Sequence, residues 1–595
     1  MKQKLALDAD GTLGYLPAGY GAKRIEKPLF DPGRHFAGLH ATQAKRGLLG
    51  GFLPATDYGF FDEESKRGWE QLAFATPAGA FVGVRSEGGW KAFALDPPNE
   101  LPTPAPLFEA LLSLHREWTR FAKSALQAEL PERRLVDSSL AGLVRTRITY
   151  AGDRPKYGLG TYAGDEHDAF PPTTLGAVEA ELEWGLLDEA RGDLECYLHN
   201  LVKPDGTFDY YGPAVSEYGM MLERVVRFVR YSQDRDWLAR ERNVVDRICE
   251  HLLSLRRASL ARTDVTPGTR GLLFGSPEAD TRDKVAYYYS GSMWAWRGLV
   301  EWGRLLSETE QSRARGKRLL NEAAALREDL VRSLEECTVE GDPEFLPPYP
   351  GIGEPFQSMV QDQLASYTNY RYWLEMLSAD FLSPEQATAL VEYRRRHQGE
   401  CLGLTRFMGR LDDWPYANYA RGLLTLDRIE HYQLGYYGHL TTHQMRGTFS
   451  DFEQVDIHDV AERTYRADYC VPAQLTIPLL TRWLLVFEER AADRLWLGKA
   501  APRRWFAPGQ RWSVKAAPTR WGRVSFEVEA TEKRVTVRLT PPERKAEMIL
   551  LRVPPPPAGR FLRAAVNGKP AEWDEARAVV VLRRQTAPCE VVVER

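Results

Sequence analysis

The sequence predicts a mainly α fold, an (α/α)6 barrel with a β-rich N-terminal region and a C-terminal β-sandwich. Three observations predict it. From about residue 135 to 495, apolar residues recur at helical spacing in segment after segment, divided by loops rich in Gly, Pro and Asp. There are about a dozen such segments, and a dozen helices in one domain suggest six antiparallel pairs in a ring. At both ends of the chain the texture changes to short runs of period two.

The first hundred residues are rich in Gly and Pro. Ala80–Val84 and Trp90–Leu95, joined through Glu87-Gly-Gly, read as a hairpin. After Pro97-Pro98, the residues Phe108, Leu111, Leu112, His115, Trp118, Phe121 and Ala122 follow i, i+3, i+4 spacing up to Leu130-Pro131. They define a linker helix. Helices are expected near 135–148, 174–191, 193–202, 215–232, 236–258, 285–306, 310–337, 358–378, 384–398, 415–430, 432–446 and 471–489. Met221, Leu222, Val225, Val226 and Val229 show the one-sided stripe. Beyond about 505, Val524/Phe526/Val528 and Val535/Val537/Leu539 alternate with polar residues, and Asn567-Gly568 marks a hairpin turn. The expected divisions are 1–104 for the β-rich region, 105–131 for the linker helix, 132–498 for the barrel and 499–595 for the sandwich.

With 43% hydrophobic and 27% charged residues, the composition is that of a globular chain. A net charge of −4 gives no electrostatic case for nucleic acid. No long uncharged apolar run offers a membrane span, and no signal peptide is readable after Met1, so the expected location is cytoplasmic. The six cysteines lie far apart with no CxxC pair, which argues against a disulfide framework and a thiolate zinc site. No cofactor is expected, and the oligomeric state is not legible. The 16 Trp, 26 Tyr and 24 Phe exceed what composition requires. Some must build core, but pyranose rings also dock their C–H faces on aromatic side chains.

Two acidic clusters stand in loops punctuated by Gly and aromatic residues. One is Thr161-Tyr162-Ala-Gly-Asp165-Glu166-His167-Asp168-Ala-Phe170. The other is His443-Gln-Met-Arg446-Gly-Thr-Phe-Ser-Asp451-Phe-Glu453. Carboxylates grouped this way suit acid/base work on a sugar better than a solvated face. If Asp165, Glu166 and Asp168 are close and partly buried, one should have a raised pKa, as a general acid needs. Capping of the next helix is the plain alternative. Glu453, with Phe449 and Phe452 beside it and Arg446 upstream, could hold a water as general base, or could simply pair with Arg446.

The order of β-domain, linker helix, about twelve helices and β-sandwich resembles the six-hairpin glycosidase superfamily. Leu159-Gly-Thr-Tyr-Ala-Gly164-Asp165 is similar to the Leu-Gly-Trp-Thr-Gly-Asp stretch of bacterial α-L-rhamnosidases, and Pro204-Asp-Gly-Thr-Phe is similar to the turn that follows it there. The resemblance implies an inverting hydrolase, with a second catalytic Glu several hairpins downstream, a role that Glu453 could fill. This chain departs from the pattern in one place. An acidic residue precedes the rhamnosidase motif, whereas Lys156-Tyr157-Gly158 stands here, which points to a different family of the superfamily.

With that acid missing, Glu217 in the first turn of its helix becomes a second candidate, although the helix dipole favours a Glu there without any function. Glu278, Asp280 and Trp294 suggest a sugar subsite, the acids for hydroxyls and the indole for stacking; a turn and a core stripe are the plain reading. Asp412-Asp413-Trp414-Pro415 opens another helix, with one Asp as N-cap and the other free to bind hydroxyls. Tyr162 and Phe170 frame the first cluster, in which Tyr162, His167 and Asp168 are substrate-binding candidates. His439 and His443 share a helix face, but no third metal ligand is evident, so His443 reads as a substrate contact. Arg466 could recognise an acidic sugar. The expected activity is exo-acting hydrolysis of an oligosaccharide or polysaccharide, with one of Asp165, Glu166 and Glu217 as acid and Glu453 as base. The alternatives are a polysaccharide lyase using Tyr289, His443, Tyr465 or Arg466, and a non-catalytic carbohydrate-binding barrel.

Overall fold

The computed structural model describes residues 5–7, 11–15, 27–35, 42–95, 97–152, 154–158, 162, 167, 169–210, 214–263, 266–277, 283–412, 414–456, 465–555 and 560–594. A six-stranded antiparallel meander runs from Thr42–Leu48 to Pro98–Glu100. Its Gly79–Ser86 and Gly89–Leu95 strands form the hairpin expected around Glu87-Gly-Gly. The linker helix follows as α1 (Ala105–Ser124), with Leu107 and Leu114 packed on that sheet.

The expected run of helices comes next: α2 (Arg133–Thr149), α3 (Pro171–Trp184), α4 (Leu187–Asn200), α5 (Val215–Ser232), α6 (Arg235–Leu260), α7 (Tyr289–Ser307) and α8 (Glu310–Cys337). Then α9 (Gln363–Tyr367) passes through a π turn (Thr368–Tyr372) into α10 (Trp373–Ser378). The last four are α11 (Pro384–Arg396), α12 (Tyr416–Thr425), α13 (Ile429–Thr442) and α14 (Val471–Leu485). Six of them pack in a cycle: α3 on α5, α5 on α7, α7 on α10, α10 on α12, α12 on α14, and α14 back on α3.

Helices in the cycle are buried nearly all round. In α5 and α14 almost every side chain is buried, whereas α6 and α8 bury one stripe and leave the rest to water. A helix that is hydrophobic on every side has to be surrounded, and a one-sided one covers it. Contact between α5 and α7 is close enough to require glycine. A Cβ on Gly219 would lie 2.1 Å from the Trp294 carbonyl oxygen, and one on Gly298 2.7 Å from that of Gly219. Gly219→Ala is expected to lose about 2–3 kcal/mol through overpacking, more than the roughly 1 kcal/mol that alanine gains in a helix. Urea unfolding would measure it, and an unchanged midpoint would mean that the two helices can separate.

The cycle is sealed at one end by buried charge. Glu179 and Glu183 of α3, Glu223, Arg224 and Arg227 of α5, Arg421 of α12 and Arg482 of α14 are all buried, and Arg490 beyond it is partly buried. Arg227 bonds both Glu179 and Glu183, and Arg490 reaches Glu179 at 2.8 Å. Burial alone would push the Glu183 carboxyl up, but Arg227 and Arg482 outweigh it and hold it at about 2.

Two sheets complete the chain. The larger pairs Arg511–Thr519, Gly522–Ala530 and Arg534–Thr540 in sequence, with the Asn567-Gly568 turn between Arg563–Val566 and Lys569–Pro570. It also recruits Gln127–Glu129 from before α2. The smaller takes Val486–Glu489 and Arg494–Leu497, ahead of the expected boundary at 499. These two strands explain why the final helix stops at Leu485 and not near 489. Among the described residues, no helix is long and apolar enough to cross a membrane.

Candidate active site

At the end of the cycle where α3, α5, α7, α12 and α14 begin, aromatic side chains gather into one cluster. Tyr157, Tyr162 and Phe170 come from the segment before α3, Tyr288 from before α7, Tyr367, Tyr370 and Tyr372 from the α9–π–α10 stretch, and Trp414 from before α12. Phe407 joins them from a small antiparallel sheet made of Glu400–Cys401, Leu404–Phe407, Arg410–Asp412, Phe452–Asp456 and Tyr465–Tyr469. The rings touch in series. Tyr157 meets Phe170 at 5.2 Å, Phe170 meets Trp414 at 5.8 Å, Trp414 meets Tyr370 at 6.0 Å, and Tyr370 meets Phe407 at 4.7 Å. Trp414, Phe170 and Phe407 each keep 9% exposure, whereas Trp294 and Trp302 in the core keep 1% and 0%. The cluster therefore borders solvent and the core tryptophans do not.

Two buried carboxylates from different elements lie near this cluster, Glu217 linked to it through Arg371 over Trp414 and Glu453 beside Tyr157. Glu217, in the first turn of α5, is 1% exposed. One of its oxygens accepts from the Ala214 N–H at 2.9 Å and the other from Arg371 at 2.8 Å. Arg371 also donates to Glu375 at 2.8 Å, and its guanidinium lies 5.2 Å from the Trp414 ring. Burial pushes the Glu217 carboxyl up to about 7, because Arg371 recovers only part of the cost of removing the charge from water. Arg371 sits in the π turn, a local widening that often marks functional positions.

Glu453 stands on Phe452–Asp456, 8% exposed and close enough to Tyr157 to raise that phenol, which burial already holds well above its usual value. Strand alternation turns its neighbours the other way. Phe452 stacks on Tyr469 at 4.6 Å, and Gln454 donates to Asp412 at 2.7 Å. The segment carrying Tyr157 is fastened beside this sheet. Val471 N–H donates to the Tyr157 carbonyl at 2.7 Å, and Gly158 bridges Cys470. A Cβ on Gly158 would fall 2.4 Å from the Tyr469 carbonyl oxygen, so no larger residue fits.

The other expected site residues divide. Tyr162 and His167 sit against Tyr157, His167 at 5.2 Å. Trp414 belongs to the cluster. Asp412 does not cap α12, whose N-cap is Pro415; it accepts the Trp414 N–H at 3.2 Å and so holds that ring in place. Trp294 is a correction. Its indole is buried between helices in the core and donates to the Glu375 carbonyl at 3.0 Å, outside the aromatic cluster. His443 is another, at 0% exposure, stacked on His439 and bonded to Thr442, with burial pushing its pKa well down. Arg446 is exposed in a turn whose Gly447 packs against the Arg46 carbonyl, and among the described residues no ion pair joins it to Glu453. Tyr289 is fully buried with its hydroxyl on Ser333, which removes it as a lyase base. Asp165, Glu166, Asp168, Glu278, Asp280 and Asp413, together with the side chains of Tyr465 and Arg466, lie outside the described residues.

Sequence reasoning missed Arg371, Glu375 and the tyrosines of the π turn. The signal was present in Tyr367-Thr-Asn-Tyr370-Arg371-Tyr372, a charged residue inside an aromatic run, but the run reads equally well as a core stripe. No group of three His, Cys, Asp or Glu side chains among the described residues could hold a metal ion.

No protein-family model and no curated protein sequence matches the chain. Solved structures do. The chain is similar to an α-L-rhamnosidase from Dictyoglumus thermophilum at 10% identity and a TM-score of 0.51, over 93% of this chain and 63% of that one. It therefore spans less than two thirds of that protein's length. It is also similar to a bacterial glucoamylase complexed with acarbose, at 10% identity and a TM-score of 0.50, over 74% of this chain and 85% of that one. At these identities the likeness is one of architecture. The chain carries a fold that α-L-rhamnosidase and glucoamylase structures also carry.

Proposed function

We propose that the chain is a glycoside hydrolase, exo-acting and inverting, in which the cycle of six helices is the inner ring of an (α/α)6 barrel. The observation that carries this reading is the placing of two buried carboxylates, Glu217 and Glu453, near one aromatic cluster. Tyr157, Phe170, Trp414 and Tyr370 offer apolar faces on which a pyranose ring can lie. Helix N-termini converging on the rim favour negative charge there. Glu217, raised to about 7, carries a proton through much of the neutral range and can give it to the glycosidic oxygen. Asp165 and Glu166, three and four residues after Tyr162 in the sequence, remain candidates for the same task. Glu453 activates the water that attacks the anomeric carbon from the opposite face. Inversion requires about 6.5–9.5 Å between the two carboxyl groups.

The test is product analysis on a panel of oligosaccharides, reading new reducing ends and absorbance at 235 nm together. Reducing ends without absorbance support hydrolysis. Rising absorbance means β-elimination and sinks the paired-carboxylate mechanism. Trp414→Ala should raise KM about tenfold, the equivalent of roughly 1.4 kcal/mol of stacking, with a smaller change in kcat. An unchanged KM would place the sugar elsewhere.

A further inference from the structure

None of the residues lining a second cleft belongs to the aromatic cluster. It has a volume of 520 Å³ and is bordered by Ile429, Glu430, Gln433 and Tyr437 of α13, and by Pro502, Arg503, Arg504 and Arg552. The size falls within the range of small-molecule sites. Its walls combine the apolar surfaces of Ile429, Pro502 and Tyr437 with cationic groups. Arg504 is already engaged, by Glu132 at 2.6 Å and by the Tyr437 hydroxyl. Arg503 is exposed, and among the described residues neither it nor Arg552 makes an ion pair; Arg552 donates only to the Lys499 carbonyl, at 3.2 Å. In the lining, Arg503, Arg504 and Arg552 stand against Glu430, a surplus of two positive charges, of which Arg504 is paired with Glu132 outside the lining. Burial lowers the basicity of Arg552, Glu430 offsets part of that loss, and the charge of Arg503 lowers it further; a bound anion would act in the same sense as Glu430.

We infer that this cleft binds an acidic sugar, with the carboxylate of a uronate held by the Arg503 and Arg552 guanidiniums and its ring against Tyr437 and Pro502. Guanidinium forks suit a carboxylate in geometry as well as charge, and the apolar wall gives the ring a surface that a bare anion would not use. The sugar part of this inference rests on the glycosidase reading; the anion part rests on the cleft itself.

Calorimetric titration of the full chain with glucuronate, with glucose and acetate in parallel, tests it. Saturable binding of glucuronate, at least tenfold weaker in Arg503→Ala and in Arg552→Ala and unchanged in Glu453→Gln, is the expected result. No binding of glucuronate, equal affinity for acetate, or glucuronate binding that both arginine variants retain, would overturn it. Circular dichroism of the variants separates loss of the cleft from loss of the fold, and Arg503, being exposed, can be removed without disturbing packing. Failure of the glycosidase reading would appear separately, as an absence of new reducing ends in the product assay.

Discussion

Glu453→Gln is expected to lower kcat by about 10²–10⁴-fold while leaving the fold intact, the usual cost of removing a general base. The substitution keeps the volume and planarity of the side chain, so Phe452 stays stacked on Tyr469 and Gln454 stays bonded to Asp412. What it removes is the lone-pair basicity needed to take a proton from water. The measurement is initial rate by reducing-end release, with circular dichroism to verify folding. Full retention of rate would move the base to another residue and leave Glu453 as a strand residue beside Tyr157.

Glu217 should set the alkaline limb of the pH profile. Its folded pKa is raised to about 7 from the ordinary carboxyl value of 4.5, so the protonated form is present below about 7 and lost above it. If Glu217 is the acid, the rate falls tenfold per pH unit beyond that point, and Glu217→Gln reduces activity by about 10²–10⁴-fold on substrates with poor leaving groups. Stability moves in the same direction. A carboxyl whose folded pKa is raised contributes stability below its unfolded pKa, and that contribution is lost as pH rises through the folded value. The difference across pH 4.5 to 7 is on the order of 3 kcal/mol. Urea unfolding in that window should show the wild type losing stability relative to Glu217→Gln. A parallel pH dependence in the two proteins would mean that Glu217 ionises at the same pH folded and unfolded. An alkaline limb that survives in Glu217→Gln would instead assign the acid to Asp165 or Glu166.

Periodicity located the helices well because a surrounded helix and a covering helix both repeat apolar residues near 3.6. The segment 215–232 matches α5, and 310–337 matches α8. The same periodicity cannot tell which apolar face meets another helix and which meets a cleft. Trp294 and Trp414 are both tryptophans at helix-associated positions, yet one is sealed under Glu375 and the other borders the site, for reasons that lie in their neighbours. The small sheet was harder still. Its strands are two to five residues long and come from separated segments, and no local signal announces that Phe407, Asp412 and Glu453 will lie on it together. His443 illustrates the opposite error. A histidine beside a conspicuous loop invites a catalytic role, but the helix turns it inward onto His439.

The charge network that seals the ring ties early chain to late chain. Glu179 and Glu183 lie on α3, while Arg482 and Arg490, which help neutralise them, follow about three hundred residues later. A ribosome adding about 5–20 residues per second needs roughly 15–60 s to supply them. Throughout that interval α3 has no α14 to pack on, and two acids destined for burial lack these partners. The ring therefore closes only when synthesis of the helical region is finished, and a chain stalled before α14 would present an apolar α3 to its surroundings. Pulse-chase proteolysis of ribosome-bound chains should find α3 protected only after residue 490 has left the exit tunnel.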